Sequence, residues 1–350
     1  MAKFSSPKDI KVGVIGYGGA FNMGKQHLLG CKKAGMKPFA VCEIDPTRLE
    51  VAEEDFPGIE TYGSLKDMLN QSDVDLIIHI TPHNLHYKLA AQCVKAGKHV
   101  VTEKPFVLTT SEADRLIAMA KKHKVMVSTY HNRHWDGWIL RARQQIVERG
   151  IIGDVFKVEA HMGGYGLPGG WWRSSKSISG GILYDWGVHL LEYALQVIPS
   201  DVTEVNGFAH TGYWPGKAPK SWPWKDDANE DHAAAVVRFA NGAYINLSVS
   251  QLNAKGSENQ IEFHGTKGCY LINFSKGWTT RIANAKGKIV EKTGQHPKSR
   301  GDRFYKNIAQ SLCGNEELVI TPEWARRPIH ILDLADRSAR QGRAVKAKYG

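Results

Sequence analysis

Two kinds of apolar pattern alternate through the first 130 residues. Short apolar runs at residues 10–15, 37–42, 74–80, 99–102 and 125–129 read as buried strands. Between them apolar residues recur at helical spacing: up to about residue 34, from Ser64 to about residue 70, over 84–96, and from Ser111 to residue 122. Strands alternating with helices of this length predict a doubly wound parallel sheet, with residues 125–129 as its sixth strand. Beyond residue 130 the rhythm changes. Residues 201–208, 232–239, 243–250, 258–264 and 268–274 read as successive strands, with Asn241-Gly242 a type I′ hairpin signal between the second and third. Two helices, 303–313 and 322 to about 339, follow. The expected architecture is α/β: a doubly wound parallel domain over 1–130, then an α+β domain with an open, mainly antiparallel sheet over 131–350. One face of that sheet is expected to lack cover, and self-association as a homodimer or homotetramer is the usual remedy.

In the parallel domain the strand at 10–15 runs into Gly16-Tyr17-Gly18-Gly19-Ala20-Phe21-Asn22-Met23-Gly24 and then into a helix. Strand, glycine turn and helix open a dinucleotide fold: glycines let the backbone approach a pyrophosphate, and the helix N-terminus supplies positive potential. The usual third glycine is displaced, because Phe21 occupies its position and the next glycine is Gly24, so a longer loop is expected. The strand at 37–42 ends in Glu43-Ile44-Asp45. An acid there can accept from an adenine-ribose diol and repel a 2′-phosphate, which favours NAD over NADP; Asp45 reads as a helix cap, and Arg48 could answer a phosphate.

Residues 98–105, Lys-His-Val-Val-Thr-Glu-Lys-Pro, deliver Lys104 to the C-terminal end of a buried strand, the rim where open parallel sheets bind ligands. Pro105 stiffens the backbone beside it. Thr81, Pro82, His83 and His86 lie on the same rim and could line the nicotinamide side. As a metal pair, His83 and His86 lack a carboxylate nearby, so turn and helix-start roles suit them better, and no metal is expected.

In the second half all ten tryptophans (135, 138, 171, 172, 186, 214, 222, 224, 278 and 324) follow residue 130. Most will serve packing, but Trp171-Trp172-Arg173 in a glycine-rich loop fits a site for sugar rings. Further on, Asp185 and His189 stand four apart, on one face of a helix starting near Leu183, where the carboxylate could orient the imidazole or stabilise its cation.

Composition leaves the enzyme reading in place. At 350 residues, 42% hydrophobic and 23% charged, the chain is an ordinary globular sequence long enough for two cores. Its N-terminus lacks an apolar signal-peptide core, and no run approaches a membrane span, so a cytoplasmic protein is expected. Cys31, Cys42, Cys93, Cys269 and Cys313 are odd in number and contain no Cys-x-x-Cys pair, which excludes a disulfide framework. Of the net charge of +11, residues 323–350 supply four, and no nucleic-acid-reading motif accompanies the remainder. The positive field fits an anionic cofactor or substrate better than nucleic acid.

Three features in order, the glycine loop at 16–24, Glu103-Lys104-Pro105, and Gly180-Gly181-x-Leu183-x-Asp185-x-Gly187-x-His189, resemble the glucose-fructose oxidoreductase / inositol dehydrogenase / MocA family over nearly the whole chain. The resemblance implies a Rossmann domain followed by an α/β domain with an open antiparallel sheet. It also implies NAD(P)-linked oxidation or reduction of sugars and cyclic polyols. By motif position Lys104, Asp185 and His189 fall on the family's catalytic lysine, aspartate and histidine. Cofactor contacts are then expected from Gly16, Gly18, Gly19, Ala20, Phe21 and Glu43, and from Thr81, Pro82, His83, His86, Glu103 and Lys104. Substrate contacts are expected from Lys104, His134, Tyr165, Trp172, Arg173, Asp185 and His189. His189 is ranked as proton acceptor, since a lysine would need its ordinary value near 10.4 lowered by about three units. The family also contains NAD-assisted glycosidases and regulatory members, so a glycoside-cleaving enzyme and a NAD-occupied sensor stand as alternatives.

Overall fold

The computed structural model describes residues 4–19 and 21–348. By contact the chain forms two compact units, Met1–Asn132 with Asp302–Arg327, and Arg133–Gly301 with Pro328–Gly350. The expected single cut at residue 130 therefore needs correction at its far end, because residues 302–327 return to the first unit. The cause is apolar complementarity within that unit: Phe304 and Tyr305 are buried, and Tyr130 packs edge-on to the former and stacks on the latter.

The first unit holds β1 (Lys11–Ile15), α1 (Met23–Lys33), β2 (Lys37–Cys42), α2 (Pro46–Asp55), β3 (Glu60–Tyr62), α3 (Leu65–Gln71), β4 (Leu76–His79), α4 (His86–Lys95), β5 (His99–Thr102), α5 (Thr110–His123) and β6 (Val127–Thr129). The sheet is parallel, in the order β3-β2-β1-β4-β5-β6. Its order reverses between β1 and β4, and that switch point opens a crevice at their carboxyl ends. β4 and β5 are buried throughout, as continuous apolar runs covered on both faces should be. Short, half-buried β3 lacks such a run and left no periodic signal. Ser64 caps α3 as expected, its side chain accepting from the Asp67 amide. For α5 the cap is Thr109 rather than Ser111: Thr109 and Glu112 form a reciprocal capping box that satisfies two helix-end donors together.

The second unit is built on a nine-stranded sheet in the order β14-β13-β12-β11-β7-β10-β9-β8-β15. Its elements are α6 (Gly137–Arg143), β7 (Val155–Gly163), α7 (Lys176–Ser179), α8 (Gly187–Leu195), β8 (Val202–His210), α9 (Tyr213–Lys217), β9 (His232–Phe239), β10 (Tyr244–Ser250), β11 (Ile261–Gly265), β12 (Gly268–Asn273), β13 (Gly277–Ala283), β14 (Ile289–Gly294) and β15 (Val345–Lys346). Helix α10 (Arg303–Leu312) belongs to the first unit, and α11 (Pro322–Gln341) runs across the boundary at Pro328. The sheet is mostly antiparallel, but β10 pairs with β7 in parallel. The β9–β10 turn is not type I′. That type needs positive φ at both central residues, whereas Gly242 has φ +85° and Asn241 is not in that region. Three residues separate the paired Phe239 and Ala243, and the Asn241 side chain accepts from the Ala243 amide, so an Asx contact sets the loop.

Val158, Ala160, Val205, Ala235, Val237, Ile245 and Leu247 form the buried face of this sheet, with α8 against β7 and β10. On the other face Glu159 stands opposite Glu262. Their charges are answered by Lys157 at 3.1 Å, Asn246 at 3.0 Å and His161 at 2.9 Å on Glu159, and by Asn259 at 2.9 Å on Glu262. Polar ladders, rather than apolar side chains, therefore occupy the middle of that face.

Helix α11 meets β8 with no room for a side chain at Gly207. A Cβ there would stand 2.0 Å from the Ala335 carbonyl oxygen, while the Gly207 amide donates to Ser338 Oγ at 2.8 Å. Gly207→Val is expected to cost about 1–3 kcal/mol or more, read as a lower thermal midpoint. Gly216→Ala, in α9 with nothing within 4 Å of the added methyl, should stay within about 0.5 kcal/mol of the parent.

Candidate functional site

The glycine loop sits at the switch point. Gly16, Gly18 and Gly19 have φ of +94°, +85° and +75°, values that L side chains resist. A Cβ at Gly16 would stand 2.3 Å from the Ile80 carbonyl oxygen at the end of β4. Gly24 does the third glycine's packing work: a Cβ there would stand 2.6 Å from the Gly16 carbonyl oxygen. The loop runs on to Asn22, and α1 begins at Met23 with Asn22 as its cap, φ +41°, its side chain accepting from the Gly18 and Lys25 amides. Three positive-φ glycines ahead of an eleven-residue helix fit the pyrophosphate of a nicotinamide dinucleotide. Phe21 is 62% exposed beside this loop; Ala20 lies outside the described residues.

Glu43 is at the end of β2, 8% exposed, with both carboxylate oxygens engaged. Oε2 accepts from the Tyr17 amide at 2.8 Å, and Oε1 from the Ile44 and Asp45 amides at 2.8 and 3.2 Å. It thus fastens the glycine loop to the strand end, where any ribose diol would share its lone pairs. Asp45 caps α2 through the Thr47 amide. The Arg48 stem lies along Gly18, its Nε 3.3 Å from Asp45 Oδ2.

At the end of β4, Pro82 leads into a single 3-10 turn, His83–Leu85, and His83 is buried. His86, fully buried at the start of α4, has Nδ1 2.6 Å from the Pro105 oxygen and Nε2 3.1 Å from that of Thr81. Burial, foremost, lowers its affinity for a proton, and the neutral ring has a single N–H, which the shorter separation assigns to the Pro105 carbonyl. His86 therefore ties the segment after Lys104 to the start of α4. On the other side of Lys104, Glu103 Oε2 accepts from the Lys104 amide at 3.0 Å and Oε1 lies 2.9 Å from His27 Nε2. His27 Nδ1 in turn lies 2.5 Å from the Tyr305 hydroxyl. Burial by itself would raise the Glu103 carboxyl, but the His27 bond, the charge of Lys104 and the Lys104 amide outweigh it and hold the group below the usual glutamate range. The Lys104-Pro105 peptide is cis.

In the second unit, Gly181 (φ +130°) precedes the Asp185 and His189 segment. Its turn is fixed from one side by Lys176, whose Nζ donates to the Gly180 carbonyl at 2.9 Å, Glu230 at 2.5 Å and Asp336 at 2.9 Å. Burial pulls the Lys176 ammonium toward losing its proton, and the two carboxylates more than offset that. Glu230 also accepts from the Ile182 amide at 3.0 Å. Where one helix from near Leu183 was expected, a 3-10 turn (Ile182–Tyr184) comes first and α8 starts at Gly187. Asp185 thus lies ahead of the helix and His189, 5% exposed, within it. Asp185 Oδ1 is 3.7 Å from Arg173 Nε, and the Arg173 guanidinium lies over both indoles, 4.6 Å from the Trp171 ring and 4.4 Å from Trp172. Trp172, Arg173 and Asp185 are therefore brought together, with His189 on the following helix. The Tyr165 hydroxyl lies 2.7 Å from that of Tyr213, and its ring is edge-on to Trp214. His134 is committed to a buried pair with Glu192 at 2.5 Å.

Sequence reasoning missed His27, Tyr305 and Lys176. None sits in a motif; each is recognisable only by what the fold sets beside it, although an unpaired-looking glutamate directly before Lys104 was a hint that a donor must exist.

Fold and site together define a dinucleotide-binding unit joined to a second unit built on a mostly antiparallel sheet. Residues 10–131 match the family described as "Oxidoreductase family, NAD-binding Rossmann fold", and residues 140–271 match "GFO/IDH/MocA C-terminal domain". The chain is 34% identical over 264 residues to the uncharacterized oxidoreductase YdgJ of Escherichia coli, covering 75% of this chain and 71% of that one. It is 26% identical to the scyllo-inositol 2-dehydrogenase (NADP(+)) IolW of Bacillus subtilis, covering 97% and 96% of the two chains. A solved structure of a NAD-binding protein from Listeria innocua superposes with a TM-score of 0.80 at 25% identity, covering 97% of each chain. The chain belongs to the Gfo/Idh/MocA family of oxidoreductases, and its first unit is a NAD-binding Rossmann domain.

Because Glu103 is held below its ordinary value of 4.5, its contribution to stability is complete above that value and fades as pH falls through the lower, folded-state value. Glu103→Gln is therefore expected to be less stable than the parent at neutral pH. The gap in thermal midpoints should narrow as the pH is taken below about 4.5.

Proposed function

We propose that the protein is a NAD(P)-dependent dehydrogenase that interconverts a secondary alcohol and a ketone on a sugar, a sugar derivative or a cyclic polyol. The observation that carries this reading is Lys104 at the carboxyl end of β5, on the rim that holds the glycine loop, its backbone tied on both sides by Glu103 and His86. Such a lysine suits a group that must meet a reacting oxygen from a fixed direction. The inositol dehydrogenase among the relatives supports polyhydroxylated rings as the substrate class.

A nicotinamide dinucleotide held by Gly16, Gly18, Gly19 and Glu43 would supply the acceptor for hydride from the carbinol carbon. His189 takes the hydroxyl proton, and Asp185 sets the orientation of the imidazole and stabilises its cation. Lys104 donates a hydrogen bond to a substrate oxygen as negative charge develops on it. Trp172 offers a face to the apolar side of a ring, and Arg173 is a fixed donor beside it. Gly16, Gly18 and Gly19 admit the pyrophosphate. Glu43 meets the ribose diol, and the arrangement of Arg48 over Gly18 leaves a 2′-phosphate an answer, so both cofactors belong in the assay. Copies of the chain associate through the second unit's open sheet face.

A screen of cyclic polyols, aldoses and sugar acids with NAD and NADP, followed by absorbance of the reduced cofactor, tests the reading. Steady accumulation of reduced cofactor with a free sugar or polyol is expected; cleavage of a glycoside without net reduction would replace the dehydrogenase by a NAD-assisted glycosidase. Lys104→Ala and His189→Ala should each lose about 10²-fold or more in kcat while retaining cofactor affinity by fluorescence titration. Wild-type turnover in both variants would refute the assignment.

A further inference from the structure

Apolar side chains inside a protein pack closely, with few voids larger than a water molecule. The second unit departs from this between α11 and the β8–β9 pair, where a cavity of about 190 Å³ stays open. Leu183, Tyr184, Phe208, Leu332 and Ala335 give it an apolar wall, and the Gly180-Gly181 turn forms one side. Every residue of the wall belongs to the second unit. Among the described residues that line it neither Asp185 nor His189 appears, so it is a separate place from the candidate site. An apolar cavity of roughly 150 Å³ is enough to hold a benzene molecule, so this one admits a six-membered ring or a branched chain with a substituent.

Four charged side chains complete the lining, and their contacts decide what kind of molecule it suits. Lys176 and Arg340 balance Glu230 and Asp336 in sign. Each carboxylate oxygen already accepts a bond: Glu230 Oε1 and Oε2 from Lys176 and the Ile182 amide, Asp336 Oδ1 and Oδ2 from Lys176 and, at 2.8 Å, Arg340 Nη2. Donors are what remain at the mouth. The Arg340 guanidinium has five N–H groups on a side chain 70% exposed, and it also borders a second hollow of α11 with Arg337 and Gln341. A molecule entering the cavity therefore meets apolar walls inside and positive donors at the edge. Its complement is an acceptor of negative charge on an apolar body, and a carboxylate matches the guanidinium fork in shape.

We propose that this cavity binds a compact organic carboxylate, its ring or branched chain between β8, β9 and α11 and its carboxylate on Arg340, and that the occupant steadies the Gly180-Gly181 turn. Lys176 and Glu230 both line the cavity and both hold that turn: a Cβ at Gly181 would stand 2.7 Å from Lys176 Nζ and 2.9 Å from Glu230 Oε2. Filling the cavity removes water that competes for those bonds, so the turn ahead of Asp185 opens less often. The site does not depend on which reaction the protein carries out.

The test titrates the full-length protein with benzoate and with its neutral twin, benzyl alcohol, by calorimetry, and follows amide hydrogen exchange over residues 180–184. Thermal unfolding of each variant is the control for folding. The parent should bind benzoate saturably, one per chain and about threefold or more tighter than benzyl alcohol, and Arg340→Gln should abolish that preference. Ala339→Leu, which pushes a larger side chain into the cavity from α11, should weaken both ligands about tenfold or more. Saturating benzoate should slow exchange at the Ile182 amide in the parent and leave it unchanged in Ala339→Leu. Absence of saturable binding, undiminished binding by a folded Ala339→Leu, equal affinity for the two ligands or unaltered exchange in the benzoate-saturated parent would each overturn the proposal. If Ala339→Leu does not fold, a crystal of the parent grown with benzoate carries the decision: a ring between Phe208 and Leu332 supports the proposal, and a cavity left empty or filled by a side chain of a second copy overturns it.

Discussion

One half-buried negative charge sets the terms for the first unit. The Glu103 carboxylate can stay ionised inside the protein only because the amide of its own successor and the His27 imidazole replace the water it gave up. That requirement fixes how α1, β5 and α10 sit against one another, since His27 must reach Glu103 and Tyr305 together. On the far side of Lys104 the fully buried His86 imidazole performs a matching service, donating its one N–H to the Pro105 carbonyl. The lysine is consequently flanked by two hydrogen-bonded backbone segments that do not shift without leaving a polar atom stranded.

The second unit solves the same problem with opposite charges. An ammonium, Lys176, holds the strained Gly180-Gly181 turn by gripping the Gly180 carbonyl while Glu230 and Asp336 compensate its charge. Glu230 reaches onward to the Ile182 amide, so the chain leaving the turn is also directed. Downstream of it come Asp185 and His189. Asp336 is contributed by α11, well over a hundred residues later in the chain. In both units, then, a segment after a strand or a turn is braced by a polar network completed by a late helix, a different demand from core packing and one that holds charged groups at half-buried places.

Much of this was legible in the sequence, and the part that was not has a common cause. Parallel strands buried on both faces announce themselves as apolar runs, so five of the six strands of the first sheet and the position of Lys104 could be read directly, while β3, with only Glu60-Thr61-Tyr62, could not. In the second sheet β7, β13, β14 and the two-residue β15 escaped notice. β7 mixes Lys157, Glu159 and His161 into its alternation, and β14 is largely exposed, so neither looks like a core strand. The Thr109 cap was passed over for Ser111, although the glutamate three residues after Thr109 spells the capping box. Asp185 and His189 were expected on one helix, but the glycine turn delays α8 to Gly187. His27 and Tyr305 carry no local pattern at all: one lies mid-helix, the other in an amphipathic segment, and only a long-range hydrogen bond distinguishes them from ordinary core residues.

The return of residues 302–327 to the first unit bears on the order in which the chain can mature. A nascent polypeptide that has left the ribosome through Asn132 already owns every strand of the six-stranded parallel sheet, yet it lacks the hydroxyl that completes His27 and the helix that fills the notch at Gly30. Arg133–Gly301 must be translated before those arrive. The cofactor-binding half therefore exists for a time as an unfinished sheet with an exposed aromatic seat, and its last stitch is made from the far end of the message.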